Sequence, residues 1–410
     1  MDDTNKRPEP ATSRDPATPH DTLNPEAAEL LYKDAITDLR DGDVVADGTD
    51  GVGQAVSPLR LMWWKFRRHK VAVVSGIFLL GAYVVTAFAG FFAPYAPAER
   101  TRSLYSPPQT LRWVDSEGRF HLRPFVYGLD MSRDLETLRP IYEPNREELH
   151  PIRFFVKGEP YKILGLVPAN LHLFGFGDAQ AHLAGTDNLG RDLFSRLIFG
   201  AQISLTVGLI SVFLSLVLGL VIGGISGLYG GVVDNVIQRI IEAIIAIPTI
   251  PLWLGLAAAV PRNWGPVQQY FAILVVLSLI SWTTTARVAR GKFLAVREQD
   301  FVMAAKVYGS SQWRIILKHL IPNIMSYVIV TITLAIPSII IGETALSFLG
   351  VGLKAPVVSW GVLLQEAQKN LVIQFYPWMW IGPALCIIAV VLAFNFVGDG
   401  ARDAADPFSK

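Results

Sequence analysis

Two carboxylates stand in apolar surroundings, Glu242 and Glu343. An ionisable group inside a membrane is costly, so each needs a partner or a water-filled path. Glu242 lies one helical turn from Arg239, which fits a local ion pair. Glu343 sits in I-I-I-G-E-T-A-L-S-F-L-G. It could line a solute path or bond to a neighbouring helix. The single thiol, Cys386, falls inside an apolar run; it reads as a small core residue and excludes an intrachain disulfide. The seven histidines are scattered and no H-E-x-x-H occurs, so no metal site is expected. There is no G-x-x-x-x-G-K-[ST] phosphate loop: Gly291-Lys292 lacks both the upstream glycine and the following hydroxyl. Gly175-Phe176-Gly177 lacks the third glycine of a dinucleotide fingerprint, and the nucleophile elbow is absent. No catalytic residues and no cofactor are expected, so any work this chain does must draw its energy elsewhere.

The other patterned stretch is polar and basic, between two apolar runs: D-F-V-M-A-A-K-V-Y-G-S-S-Q-W-R-I-I-L-K-H-L-I-P-N over 300–323. Asp300 fits an N-cap. Phe301, Ala304, Ala305 and Tyr308 recur at helical spacing and predict one apolar face. Gly309 can take the left-handed conformation that ends a helix. Ser310 or Ser311 can cap a second helix carrying Trp313, Ile316, Leu317 and Leu320, and Pro322 marks the junction with the next apolar run. On pattern alone this is an amphipathic pair lying at a membrane face.

The elements around these residues are membrane elements. The 410 residues are 51% hydrophobic and 17% charged, which places the chain in the membrane class. A net charge of +1 gives no reason to expect nucleic acid as a partner. Six apolar runs are long enough to span a bilayer: 71–93, 203–228, 240–260, 267–286, 324–349 and 377–397. Arg60, Lys65, Arg67, Arg68 and Lys70 precede the first run, which predicts a cytoplasmic N-terminus. Six spans then return the C-terminus to the cytoplasm and place the loop 287–322, with Arg287, Arg290, Lys292 and Arg297, on the same side. Residues 1–57 are acidic and polar and read as a disordered tail, with 401–410 as a short C-terminal tail. Residues 58–93 form the basic flank and first span, and 186–400 the five-span core. Residues 94–185 read as a folded β-rich extracytoplasmic insertion. Two hairpins are expected in it, turning at 115–118 and at 157–160.

Within the runs, Gly219, Gly223 and Gly227 repeat every fourth residue, which lets helix backbones approach closely, within one subunit or between two. Pro248 and Pro251 predict a bent third span. Bent helices suit a pathway that opens and closes.

The residues also resemble a known family. A-A-x-x-x-G, nine residues, then H-x-x-P-N is similar to the cytoplasmic "EAA" loop of permease subunits in ATP-binding-cassette importers. The matching residues are Ala304, Ala305, Gly309, His319, Pro322 and Asn323; the family's leading Glu falls at Met303, where it is missing. G-T-D-N-L-G-R-D from Gly185, E-T-A-L-S-F-L-G-V-G from Glu343, and F-N-F-V-G-D-G-A-R-D-A-A-D-P at the C-terminus extend the likeness. Together they resemble the second membrane subunit of dipeptide and oligopeptide importers, over about 58–407. That resemblance implies an all-α permease fold of six spans with a cytoplasmic coupling helix, in a bacterial inner membrane. It implies a second permease, two ATPase subunits, an extracytoplasmic solute-binding protein and a peptide substrate, with the 300–322 loop as the ATPase contact. An ion-coupled secondary transporter is the alternative from another class; it calls for internal repeats and more intramembrane charge.

Overall fold

The computed structural model describes residues 58–405 except 138, 164, 178 and 262; the expected acidic tail over 1–57 lies outside them. The described residues open with α1 (Pro58–Arg68) and α2 (Lys70–Ala87). His69 separates them, and its Nδ1 accepts from the Ala72 amide at 3.1 Å, capping α2. The first apolar run is not one helix: it breaks at Phe88 and ends in a short turn, α3 (Ala89–Phe92).

Five strands follow: β1 (Arg112–Val114), β2 (Phe120–Arg133), β3 (Pro140–Pro151), β4 (Arg153–Ile163) and β5 (Val167–Gly175). β1-β2-β3 form one antiparallel sheet and β4-β5 a second. The first expected hairpin is present, with Val114 opposite Phe120. The second turns elsewhere. Lys157-Gly158-Glu159-Pro160 lies inside β4, and the chain reverses between Ile163 and Val167. From Lys157↔Leu171 to Tyr161↔Ala169, β4 advances four residues while β5 advances two, so the polar segment is a bulge. Pro160, which cannot donate to a ladder, is tolerated there. The His172 ring anchors this sheet, with Nδ1 2.6 Å from the Ala93 carbonyl above the first span and Nε2 3.0 Å from the Glu159 carbonyl.

The helical core comprises α4 (Leu193–Tyr229), α5 (Gly231–Ile245), α6 (Thr249–Ala258), α7 (Pro266–Val296), a connecting loop, α11 (Met325–Phe348), two short helices α12 (Trp360–Glu366) and α13 (Asn370–Phe375), and α14 (Trp378–Ala405). α14 continues through 401–405, which the sequence assigned to a tail. Asp192 caps α4 by accepting the Ser195 amide at 2.8 Å, and Gly230, at φ 64°, ends it.

Contacts fix the direction of each helix. Tyr270 bonds Thr206, Ser215 bonds the Ser278 carbonyl, and Gly227 approaches Phe293, so α4 and α7 run the same way. The chain between them must therefore return across the bundle. It does so in α5 and α6, which meet at an 87° bend. Pro248 stands at the bend with an extended ψ, and Pro251 falls in the first turn of α6, where its missing N–H leaves no bond unmade. The expected third span is thus a broken pair rather than one continuous helix, and it starts nine residues earlier, at Gly231. Glu343 of α11 meets Ser204 near the start of α4, and Gly400 of α14 meets Ala72 near the start of α2. Six crossings result among the described residues, counting the broken pair as one, with the strands at one end and the 297–324 connection at the other, termed here the sheet end and the loop end.

α4 and α7 approach each other closely. A Cβ on Gly219 would fall 2.5 Å from Thr285 Cβ, and one on Gly223 would fall 2.5 Å from the Ala286 carbonyl. With no Cβ, backbone meets backbone at these levels. The main core cluster joins Leu205, Leu277, Ile340 and Trp360, all buried, across α4, α7, α11 and α12.

Candidate functional site

The loop-end connection holds α8 (Asp300–Val307), α9 (Gln312–Ile315), a π-helical turn over Ile316–Leu320 and α10 (Ile321–Asn323). Gln299, not Asp300, occupies the N-cap; Asp300 stands in the first turn, where its charge favours the helix dipole. Gly309, at φ 75°, forms a Schellman end: its amide donates to Lys306 O at 2.9 Å and the Ser310 amide donates to Ala305 O at 3.0 Å. Of the two serines, Ser311 caps α9.

Packing differs from the expected apolar face. Val302 and Ala305 point inward, onto Ile315, Ile316, Leu320 and Phe293. Ala304 faces outward with Phe301 and Tyr308, and the last of these is 88% exposed. Val307 is 84% exposed beside them. The expected face of Phe301, Ala304, Ala305 and Tyr308 therefore divides: Ala305 turns inward with Val302, three residues before it, and the other three turn outward. His319 is half-buried, its ring 6.3 Å from that of Phe301, while Pro322 and Asn323 are exposed. The loop therefore has a packed side and an uncovered apolar side.

An open groove of about 1150 Å3 runs along α6, α7 and α11 toward the loop end. Its walls carry many hydroxyls, among them Thr283, Thr284 and Thr285 of α7 and Thr331 and Ser338 of α11. Lys292 and Arg402 are its charged lining residues, and no carboxylate lines it among the described residues. Hydroxyls both donate and accept, so such a wall can serve amide groups without fixing a charge. Asn323, from the matched motif, also reaches this groove.

Glu343 does not reach the groove. It is fully buried, and Ser347 and Ser359 each donate to its Oε1 at 2.8 Å while Ser204 donates to Oε2 at 3.2 Å. Those three hydroxyls accept in turn from the amides of Leu353, Val362 and Trp360. The carboxyl thus organises the 353–362 segment at the sheet end. Glu242 pairs with Arg239 at 2.8 Å on an exposed surface.

Two ion clusters were not singled out from the sequence. Arg196, in the first turn of α4 and 1% exposed, bonds both Asp187 and Glu366; Arg191 bonds the same two carboxylates at 2.6 and 3.0 Å. This ties the segment before α4 to α12. The signal was a charge inside an apolar helix, which demands a partner. At the loop end, the Arg290 guanidinium of α7 grips both carboxylate oxygens of Asp234 in α5, and Ser226 of α4 donates to the same group. Arg297 donates to the Gly227 carbonyl at 3.1 Å. Three helix ends are thereby joined just before α8.

The stretch that holds this loop has known counterparts. A family model described as binding-protein-dependent transport system inner membrane component matches residues 219–410, and one for the N-terminal TM domain of oligopeptide transport permease C matches 57–108. The glutathione transport system permease protein GsiD of Salmonella typhimurium is 32% identical over 357 residues, covering 87% of this chain and 93% of that protein. This chain belongs to the binding-protein-dependent transport system inner membrane components. Membership in this permease family removes the ion-coupled secondary transporter from consideration. The oligopeptide permease protein OppC of Bacillus subtilis is 37% identical over 229 residues, 56% of this chain and 72% of that one. The dipeptide permease protein DppC of Alkalihalophilus pseudofirmus is 38% identical over 234 residues, 57% of this chain and 74% of that one. A chain of the inward-facing MetNI methionine ABC transporter aligns at 17% identity over 52% of this chain and 97% of its own, with a TM-score of 0.41. In this permease the groove and the α8 loop fall inside the 219–410 match, whereas all five strands fall outside both matched stretches.

Proposed function

We propose that this permease forms one half of the pathway of an ATP-driven, binding-protein-dependent peptide importer. A second permease supplies the facing half, two ATPase subunits dock at the loop end, and a solute-binding protein delivers peptide at the sheet end. The relatives are named for oligopeptides, dipeptides and glutathione, and the hydroxyl-rich groove suits amide backbones. The loop end is cytoplasmic, with both chain termini on that side. Arg60, Arg67, Arg287 and Lys318, all at the loop end, support this through the positive-inside rule.

One observation carries the ATPase contact: the uncovered face of Phe301, Ala304, Val307 and Tyr308 on α8. Ala304 and Met303 touch the ATPase directly in this reading. Ala305 and Gly309 hold the helix in place, and His319, Pro322 and Asn323 set the return into α11. Movement of α8 passes through Val302 and Ala305 to Phe293 of α7, and through Arg290 and Asp234 to the broken pair beside the groove. Site-directed crosslinking tests the contact. Cysteine at Tyr308 should link to an ATPase subunit in native membranes, in an ATP-dependent manner. Absence of any link, with the complex intact, contradicts it.

A further inference from the structure

The β4–β5 hairpin does not project away from the bundle. It runs down the outside of the spans. Near its open end, Phe174 meets Phe194 in the first turn of α4 at 5.8 Å, and Phe155 meets Phe91 of α3 at 6.4 Å. Near its turn, Tyr161, Lys162 and Ile163 lie against Phe199 and Gln202 of α4 and against Ala87 and Phe88. The neighbours on α4 thus advance from 194 to 202, a descent of ~12 Å at 1.5 Å per residue.

That descent brings the turn to membrane depth. α2 is 18 residues long from Lys70, or ~27 Å, against a hydrocarbon core of ~30 Å. Its last residue, Ala87, therefore marks the far boundary of that core. At the same level α4 passes Gln202 and enters a stretch, 203–229, with no charged or amide side chain. Two helices independently place the hairpin turn at one hydrocarbon boundary.

The turn is built for that position. Leu166 is 82% exposed and Val167 59%. Higher on the hairpin, near its open end, Phe155 is 62% exposed and holds φ 54°, a left-handed backbone that costs a non-glycine residue energy. Of the hairpin's cations, Arg153 and Lys157 lie higher on β4 and Lys162 stands beside the turn, with Glu159 as the one acid on the two strands. Lys162 is exposed beside the turn and can extend its ammonium toward lipid phosphates.

We propose that the β4–β5 turn is a lipid anchor, seated in the membrane leaflet on the sheet side, with Leu166 and Val167 among the acyl chains and Lys162 at the phosphates. The occupant is phospholipid because the turn sits beside two apolar spans, α2 and α4, whose side chains Leu80, Val84, Leu209 and Phe213 are exposed. Depth is limited to the interface, roughly 5–10 Å, since a two-stranded sheet with open edges cannot enter dry hydrocarbon. The insertion is thereby held at a fixed height and angle over the pathway.

Lipid-borne quenchers test this. Leu166→Cys, in a Cys386→Ser background, is labelled with an environment-sensitive fluorophore, and the full chain is placed in phospholipid nanodiscs. The lipids carry nitroxide either at the headgroup or high on the acyl chain. Leu135→Cys, 95% exposed in the β2–β3 connection, and Phe213→Cys, 61% exposed on α4, serve as outer and inner references. The label at 166 should lose emission to both shallow quenchers, while the label at 135 keeps it. Quenching at 213 without quenching at 166 overturns the proposal, as it means water or a protein covers the turn.

Discussion

The Ser359 hydroxyl donates to Glu343 Oε1 at 2.8 Å, joining the segment before α12 to the buried end of α11. Ser347 shares that oxygen and Ser204 takes the other, so one carboxyl holds three hydroxyls. Glu343→Leu leaves all three without their acceptor, at about 1–3 kcal/mol each. Its thermal midpoint should fall well below that of Glu343→Gln, which keeps one carbonyl acceptor. Because Glu343 lies outside the groove, Glu343→Gln should keep its substrate preference in uptake assays.

The Asp234–Arg290 pair makes a separate prediction. Arg290 is partly exposed, so Asp234→Ala should cost about 1–3 kcal/mol, less than the ~3–5 of a fully buried broken pair. Its larger effect should be on coupling: ATP hydrolysis per peptide taken up should rise. Exchanging the charges, Asp234→Arg with Arg290→Asp, should restore part of that ratio. An unchanged ratio in both variants would mean the pair carries no movement.

Glycines on the two faces of the bundle should respond oppositely. Gly223→Ala drives a methyl into the Ala286 carbonyl and should part α4 from α7, lowering the unfolding midpoint. Gly291 lies in α7 with nothing near its Cβ position, so Gly291→Ala should stabilise by about 0.5–1 kcal/mol through helix propensity. Comparing the two melting curves in one detergent checks both signs.

The first sheet should matter to delivery of the solute. Removing 112–151 deletes β1–β3 and spares the β4–β5 hairpin. ATP hydrolysis stimulated by the binding protein should be lost while membrane insertion and basal hydrolysis persist. Full stimulation would show that the first sheet makes no productive contact.

Hydrophobic runs and basic flanks made the spans legible, because a bilayer imposes length and charge asymmetry directly on sequence. The glycine spacing likewise announced a close helix pair. Local chemistry was misread where two signals compete. Lys157-Gly158-Glu159-Pro160 has turn composition, yet Gly158 is there for lack of room: a Cβ would sit 2.7 Å from the His172 ring. In α8 the 3.6-residue period allows two adjacent seams, and only packing on Phe293 selects Val302 and Ala305. The Arg196 and Asp234 clusters pair residues distant in sequence, such as Arg196 with Glu366, which no local pattern encodes.

The central claim is that the uncovered face of α8 receives the ATPase. Val307→Asp changes only an exposed side chain, so the permease should fold and insert normally. The decisive measurement is uptake of a labelled peptide into proteoliposomes holding the assembled transporter, binding protein and ATP. Val307→Asp should abolish uptake and uncouple or release the ATPase, while Met303→Glu, half-exposed on the same helix, should transport normally. Normal uptake by Val307→Asp, with the ATPase still bound, would contradict the account.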